Sequence, residues 1–345
     1  MKPSDVVLLR CPACSAEHLE SEAFSSSEDG AIADGVLWSP GCGSWYPIED
    51  GLLELLSGPL AYAEDRARFA RTHEGALGRL GLATDAGRVD ARPEDDAVRR
   101  QQEHFDWYAD NPDQTYSAYE ETPFWKAADA IAFGEWRREV VAGARLLDVA
   151  CAQGRSTFQW MDLDIDVIGF DISKALVRQA LDRYRKHPAR ARATFFVADA
   201  TRFPLVSGSF DYVVAYGVLH HLPDPAATSR EIARVLRERG VFFGSENNET
   251  VFRRLFDLLQ KIRPLWTEEA GEHALISEEE LRRWLEPAGF DLSIRTSVFV
   301  PPHLANLLSP GAAGKLLRAT DRTARIFPGL RRQGGLILVR GKKRA

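Results

Sequence analysis

The stretch Ala144–Ser173, ARLLDVACAQGRSTFQWMDLDIDVIGFDIS, constrains the fold of this chain more than any other. An apolar run ends in Asp148, a loop of small residues leads to Gly154, a helix-length stretch follows, and a second apolar run closes on Asp171. That order predicts a strand, loop, helix and strand of a parallel sheet. In such a sheet the ligand crevice lies beyond the strand C-termini. Small residues there let backbone approach a ligand, and an acid can accept hydrogen bonds from ribose hydroxyls. An adenosine-containing cofactor is the first expectation.

The loop decides which cofactor. A dinucleotide-binding turn wants glycine at places that here hold Ala150, Ala152 and Arg155. The register Asp148-x-Ala150-x-Ala152-x-Gly154 fits better. It resembles the first motif of class I S-adenosylmethionine (SAM) methyltransferases, an acid followed by three alternating glycines, of which the last is kept. Alanine tolerates positive φ poorly, so the loop is expected either to take ordinary backbone angles at 150 and 152 or to be slightly reshaped.

Later segments follow the same order. Ala193–Asp199 (ATFFVAD) reads as a third strand ending in an acid, and Phe210–Leu222 (FDYVVAYGVLHHL) as a fourth. Glu231–Asn247 reads as helix, turn and fifth strand, with the sixth expected at Asp291–Val300 and the seventh at Gly335–Gly341. From Ala144 through Phe243 this resembles class I methyltransferases, which implies an α/β, Rossmann-like, seven-stranded domain. The resemblance assigns Asp148, Ala150, Cys151 and Gly154 to the cofactor loop and Asp171 with Ile172 to the ribose. It assigns Asp199 with Ala200 to the adenine and Tyr216 to the methionine end. Any one acid at a strand end could equally be a helix cap or loop residue; the three together at these spacings carry the assignment.

With 345 residues and 45% hydrophobic content the chain can bury a large core, and its length suggests about two domains. No apolar stretch approaches the roughly 20 residues of a membrane span, and the start lacks a signal-peptide pattern, so the expected compartment is the cytoplasm. Four cysteines, two of them in Cys11-Pro-Ala-Cys14, suit metal or reduced thiols better than a disulfide framework. A net charge of −6 argues against a protein built mainly to hold nucleic acid. Basic residues nevertheless crowd the C-terminal part, from Lys315 and Arg318 to Lys343 and Arg344. They read as a solvated basic face or, more sharply, as a contact for an anionic substrate or a membrane surface.

Residues 8–56 carry the knuckle Cys11–Cys14, a second at Gly41-Cys42-Gly43, and the phrase Tyr46-Pro47-Ile48-Glu49-Asp50-Gly51. They resemble the Trm112-like family of small zinc-ribbon-type domains, in which two Cys-x-x-Cys pairs bracket a hairpin. Cys11, Cys14 and Cys42 are then the candidate ligands of a structural zinc, with Ser39 at the expected third cysteine and His18 a conceivable substitute. The competing reading is a degenerate module held by Trp38, Trp45, Tyr46 and the run Leu52–Leu56, its cysteines serving as small buried residues. Stand-alone relatives activate methyltransferases, so the resemblance implies an activator fused to its client.

The expected organisation is a Trm112-like module at 1–58, a helix (about Ala61–Leu80) and polar linker at 59–100, and the methyltransferase domain at 101–345. Within that domain we expect an aromatic lid at 101–140, a core at 144–247, and helical insertions at 248–275 and 301–330. Tyr108 and Tyr116 are the lid residues expected in the substrate pocket, since aromatic faces attract a sulfonium. The stripe Val251, Phe252, Leu255, Phe256, Leu259 and Ile262 recurs at helical spacing and is expected to help roof the acceptor site.

Methyl transfer from SAM requires mainly positioning of the acceptor, with a base where the acceptor must lose a proton. His221 is the first candidate, with His220, Glu246 and His273 as others; for either member of the His pair, packing and turn hydrogen bonds are the competing role. The expected acceptor is a small, lipid-like or glycosidic molecule, methylated at oxygen. Alternatives are rRNA methylation and a non-catalytic scaffold that binds a protein partner. The net charge and the absence of an Asn-Pro-Pro-Tyr-like motif after the fourth strand weigh against methylation of base amino groups. A homodimer is compatible with the sequence, which does not fix the oligomeric state.

Overall fold

The computed structural model describes residues 1–82, 95–111, 120–189, 191–250, 258–259, 261–262 and 275–345. Four short strands come first: β1 (Glu20–Ser26), β2 (Ile32–Trp38), β3 (Trp45–Glu49) and β4 (Leu52–Glu54). Helices α1 (Ala63–Thr72), α2 (Glu74–Arg79), α3 (Asp95–Asp110) and α4 (Pro123–Trp136) follow. The central part runs β5 (Arg145–Val149), β6 (Asp166–Asp171), α5 (Lys174–Arg185), β7 (Arg192–Val197), β8 (Phe210–Tyr216), α6 (Pro225–Val235) and β9 (Leu236–Asn247). The chain closes with α7 (Glu278–Leu285), β10 (Phe290–Ser297), α8 (Pro302–Ala305), α9 (Pro310–Ile326) and β11 (Leu336–Lys343).

Among the described residues, eleven strands join one sheet, in the order β1-β2-β3-β4-β7-β6-β5-β8-β9-β11-β10. The seven expected strands are its β7-β6-β5-β8-β9-β11-β10 portion, parallel except for the antiparallel pairs of β11 with β9 and β10. The chain reverses direction of travel across the sheet between β5 and β8, which places a crevice beyond the C-terminal ends of those strands. Leu147 and Val149 pack into the core on one face and Leu146 and Val214 into the core on the other, as a parallel sheet covered on both sides requires.

The amino-terminal module is not a separate bead. β4 pairs in parallel with β7 through Leu53–Phe196 and Glu54–Val197, so the module extends the main sheet. Buried charge reinforces the seam. Arg192 bonds Asp5 at 2.6 Å, while Arg66 of α1 bonds Glu54 at 2.8 Å and the Leu56 carbonyl at 2.6 Å. Lys174, at the start of α5, reaches Asp65 at 2.5 Å and Glu54 at 3.5 Å.

Several expected elements are corrected. The stretch after Gly154 is a single 3-10 turn at Thr157–Trp160 rather than an α-helix, because Ser156 and Thr157 turn their hydroxyls back onto Asp148 instead of facing solvent. The helix expected over Ala61–Leu80 is broken at His73, whose ring packs on Phe24 and Phe69. No turn separates α6 from β9; the strand starts at once and absorbs the change of direction at Arg239, which has φ 62°. Helix α3 starts at Asp95, ahead of the boundary expected at 101. Tyr116, His273 and, of the stripe, Val251, Phe252, Leu255 and Phe256 lie outside the described residues.

Candidate functional site

The loop after β5 takes left-handed backbone at all three alternating positions of the expected glycine pattern. Ala150 and Ala152 stand at φ 51° and 46°, and Gly154 at 89°. Both alanines are thus left-handed, contrary to ordinary backbone angles there, at a cost of about 1 to 3 kcal/mol each. Space explains which glycine was kept. A Cβ at Gly154 would come within 2.7 Å of the Phe158 ring, whereas the alanine methyl groups pack against apolar neighbours.

Two buried carboxylates hold this loop. Asp148 takes hydrogen bonds from Ser156 Oγ at 2.6 and 2.7 Å and from Thr157 Oγ1, and burial pushes its carboxyl up to about 7. Asp171 takes the amides of Ala152 and Ser173, each at 2.9 Å, and burial pushes it up to about 6. Asp199, at the end of the third strand position, takes the amide and hydroxyl of Thr201, both at 2.7 Å.

These residues open onto a cavity of about 870 Å³, at the upper end of the ~300–1,000 Å³ range of ligand pockets. Ala150, Cys151, Asp171, Ile172, Asp199, Ala200 and Tyr216 all line it, as do Tyr108, His220, His221 and Glu246. Asp148 and Gly154 shape the loop from behind. The far wall is apolar and comes from Pro302, Ala324 and Leu330 of the C-terminal insertion together with Val298 and Leu336 at the strand ends flanking it. One space therefore joins the strand-end acids to an apolar chamber.

The segments that precede β5 carry polar partners that sequence reasoning missed. Asp129 of α4 bonds Arg155 through both carboxylate oxygens, at 2.7 and 3.1 Å, and accepts the Tyr216 hydroxyl at 2.7 Å. The Arg155 guanidinium lies 4.7 Å from the Trp125 ring and 5.3 Å from the Tyr216 ring. Glu120 accepts from Gln153 at 2.9 Å, and burial pushes its carboxyl up to about 7. A signal was present: Asp129 is a lone acid in the alanine-rich run LysAlaAlaAspAlaIleAla, and a buried acid needs a partner. From α3, Asp106 bonds Ser173 at 2.5 Å and takes the Tyr62 hydroxyl at 2.8 Å, while Tyr62 accepts the Lys174 amide at 2.9 Å.

The His pair divides in two. His220 Nδ1 lies 2.7 Å from Glu246 Oε2, and the other Glu246 oxygen takes the amides of Val218 at 3.1 Å and Leu219 at 2.7 Å. Glu246 is thus engaged in holding the turn after β8, rather than standing as a base toward an acceptor. His221 faces the cavity, edge-on to Phe105 at 5.2 Å.

In the amino-terminal module, Cys11, Cys14 and Cys42 converge with their sulfurs within 4.8 Å of one another. Ser39 Oγ stands 3.5 Å from Cys14 Sγ, and the Tyr46 hydroxyl lies 3.0 Å from Cys11 Sγ. Against the effect of burial, hydrogen bonds from Ser44, Ser39 and Cys14 bring the Cys42 thiol down to about 6. The three thiols supply three of the four ligands of a tetrahedral zinc site, and Ser39 stands where the resemblance puts the missing cysteine. His18 points away from this cluster, is exposed, and lies 3.8 Å from Glu20, so it does not replace the missing cysteine.

Residues 147–244 match the model of a methyltransferase domain, and residues 8–51 match that of Trm112p-like protein. The 27-O-demethylrifamycin SV methyltransferase of Amycolatopsis mediterranei is 41% identical over 100 residues, covering 29% of this chain and 37% of that protein. An mRNA cap guanine-N(7) methyltransferase of Cryptococcus neoformans is 28% identical over 153 residues, 38% of this chain and 22% of that protein. The chain thus spans less than half the length of these curated relatives. Among solved structures, a SAM-dependent methyltransferase from Thermotoga maritima superposes with a TM-score of 0.50 at 17% identity, covering 71% of this chain and 100% of that one, a likeness of fold.

Proposed function

We propose that this chain, which joins a Trm112-like module to a class I SAM-dependent methyltransferase domain, transfers a methyl group from SAM to a hydroxyl of a small, lipid-like or glycosidic acceptor. The observation that carries this reading is the single cavity running from Asp171 and Asp199 to the apolar wall of the C-terminal insertion. When bound, SAM would supply a methyl carbon activated by positive sulfur.

The chain's own residues supply position and proton handling. Asp171 has two of its lone pairs committed to backbone amides and others left for ribose hydroxyls. Ile172, Leu176, Ala200 and Leu222 line the cavity and offer apolar surface suited to an adenine ring. Tyr216, fixed by Asp129, and Arg155 with Glu120 present polar groups where an amino acid moiety would lie. Such preorganisation is what an in-line displacement needs, with the reacting atoms held about 3 Å apart. His221, on the cavity wall, would take the proton of the acceptor hydroxyl. Cys11, Cys14 and Cys42 would hold zinc as a structural clasp, with Ser39 beside them.

The test is calorimetric titration with S-adenosylhomocysteine of the wild type, Asp171→Asn and Asp171→Ala, followed by a mass-spectrometric screen of hydroxylated lipids and glycosides. Micromolar binding that weakens in both variants, together with methylated product from a hydroxyl acceptor, supports the reading. Wild-type protein that ignores S-adenosylhomocysteine at millimolar concentration rejects it.

A further inference from the structure

The described residues expose twelve large hydrophobic side chains, and seven of them fall between Leu304 and Leu330. Exposed apolar residues scattered singly mean little, but a cluster marks a surface with a partner. Helix α9 shows how this cluster is organised. It buries Ala313, Gly314, Leu317, Asp321 and Ala324. Leu316, Ala319, Thr323 and Ile326 recur at intervals of three or four along a second stripe, which is exposed and continues into Phe327 and Leu330. Beside that stripe run the exposed Lys315, Arg318, Arg322 and Arg325.

Two further observations say what the surface meets. Residues 310–332 hold six basic side chains against one acid, the buried Asp321, in a chain whose net charge is −6. The apolar stripe is also continuous with the cavity: Ala319, Thr323 and Leu330 are exposed and line it too, so the chamber opens at the stripe. A basic edge around an apolar stripe is the pattern of a helix lying in a membrane interface, with its apolar side among acyl chains and its cations at anionic headgroups.

We infer that the insertion formed by α8, α9 and the loop to Leu330 docks this protein on anionic membrane surfaces, so that the cavity faces the bilayer and takes a bilayer-resident amphipathic acceptor directly. Docking itself stands apart from the proposed reaction; the choice of acceptor rests on it. No helix among the described residues is long and apolar enough to cross a membrane, so the attachment is peripheral.

The experiment is sedimentation of the full chain with vesicles of phosphatidylcholine alone and of equal parts phosphatidylcholine and phosphatidylserine. Binding is expected to the second and to be at least tenfold weaker to the first, and to fall steeply with added salt. Phe327→Asp and the pair Arg318→Glu, Arg322→Glu should each lower the partition about tenfold or more. All three positions are exposed, so the fold is kept, and S-adenosylhomocysteine titration of each sample reads the cofactor site separately. Equal partition of wild type and variants overturns the inference. So does absence of binding by wild-type protein that binds S-adenosylhomocysteine normally, or a concentration-dependent dimer abolished by Phe327→Asp without vesicle binding.

Discussion

The amide of Ala152 donates to the carboxylate of Asp171 at 2.9 Å, tying the left-handed loop after β5 to the acid that ends β6. Asp171 therefore has two tasks: it clamps a strained loop and it faces the cavity. Removing the carboxylate releases the clamp along with the proposed ribose acceptor, so Asp171→Ala should lose more affinity for S-adenosylhomocysteine than Asp171→Asn, by about tenfold in calorimetric Kd. Equal losses would show that the clamp is idle.

If the loop alanines store strain, glycine should release it. Ala152→Gly and Ala150→Gly are each expected to raise stability by about 0.5–1 kcal/mol, because relief of positive φ exceeds the lost methyl packing and the added freedom of the unfolded chain. Urea midpoints measure this, and a fall in midpoint for both variants contradicts it.

Asp148 gives a pH dependence of definite sign. Burial raises its carboxyl from 3.8 to about 7, so the folded chain holds a proton that the unfolded chain has released. Its contribution to stability is fully present below about pH 4 and is lost as pH rises toward 7. Asp148→Asn keeps acceptor capacity for Ser156 and Thr157 without the charge, and should flatten the stability profile between pH 4 and 7. An unchanged slope in denaturant titrations at several pH values rejects the assignment.

The His pair separates chemistry from architecture. His221→Ala is expected to lower kcat by about 10²–10⁴ with S-adenosylhomocysteine binding within twofold of wild type. His220→Ala should act on stability, since it strips Glu246 of a buried partner at 2.7 Å. Thermal denaturation and steady-state kinetics on both variants tell the roles apart, and full turnover by His221→Ala removes the base.

Ser39 offers a gain-of-function test in the module. Ser39→Cys would convert three thiols and a hydroxyl into four thiols, and zinc retention against a competing chelator should rise at least about tenfold. Metal content by mass spectrometry is the readout, and a variant that holds zinc no better than wild type argues that Ser39 is not at a ligand corner.

What could be read from the sequence was local. Strands announce themselves by apolar runs bounded by Asp148, Asp171 and Asp199, and the three acids do end up around one cavity or behind its loop. The cysteine cluster was legible because Cys11, Cys14 and Cys42 sit on two short knuckles. Contacts between distant segments were not: Asp129 meets Arg155 and Tyr216 only after folding, and nothing near Leu53 in sequence points to Phe196. The missing helix after Gly154 failed for a related reason, since the hydroxyls of Ser156 and Thr157 are captured by a carboxylate that local propensity does not see.

The pairing of β4 with β7 has a consequence for how copies of this chain avoid one another. A parallel strand left at a sheet margin offers unpaired backbone groups to any other chain, an invitation to aggregation. β4 covers that margin, and the hairpins of the module move the open end outward to β1, a polar strand whose exposed Glu20 and Glu22 and two register shifts make it a poor template. The module thereby serves the sheet as an end-stop, guarding solubility whether or not metal is bound at its far side.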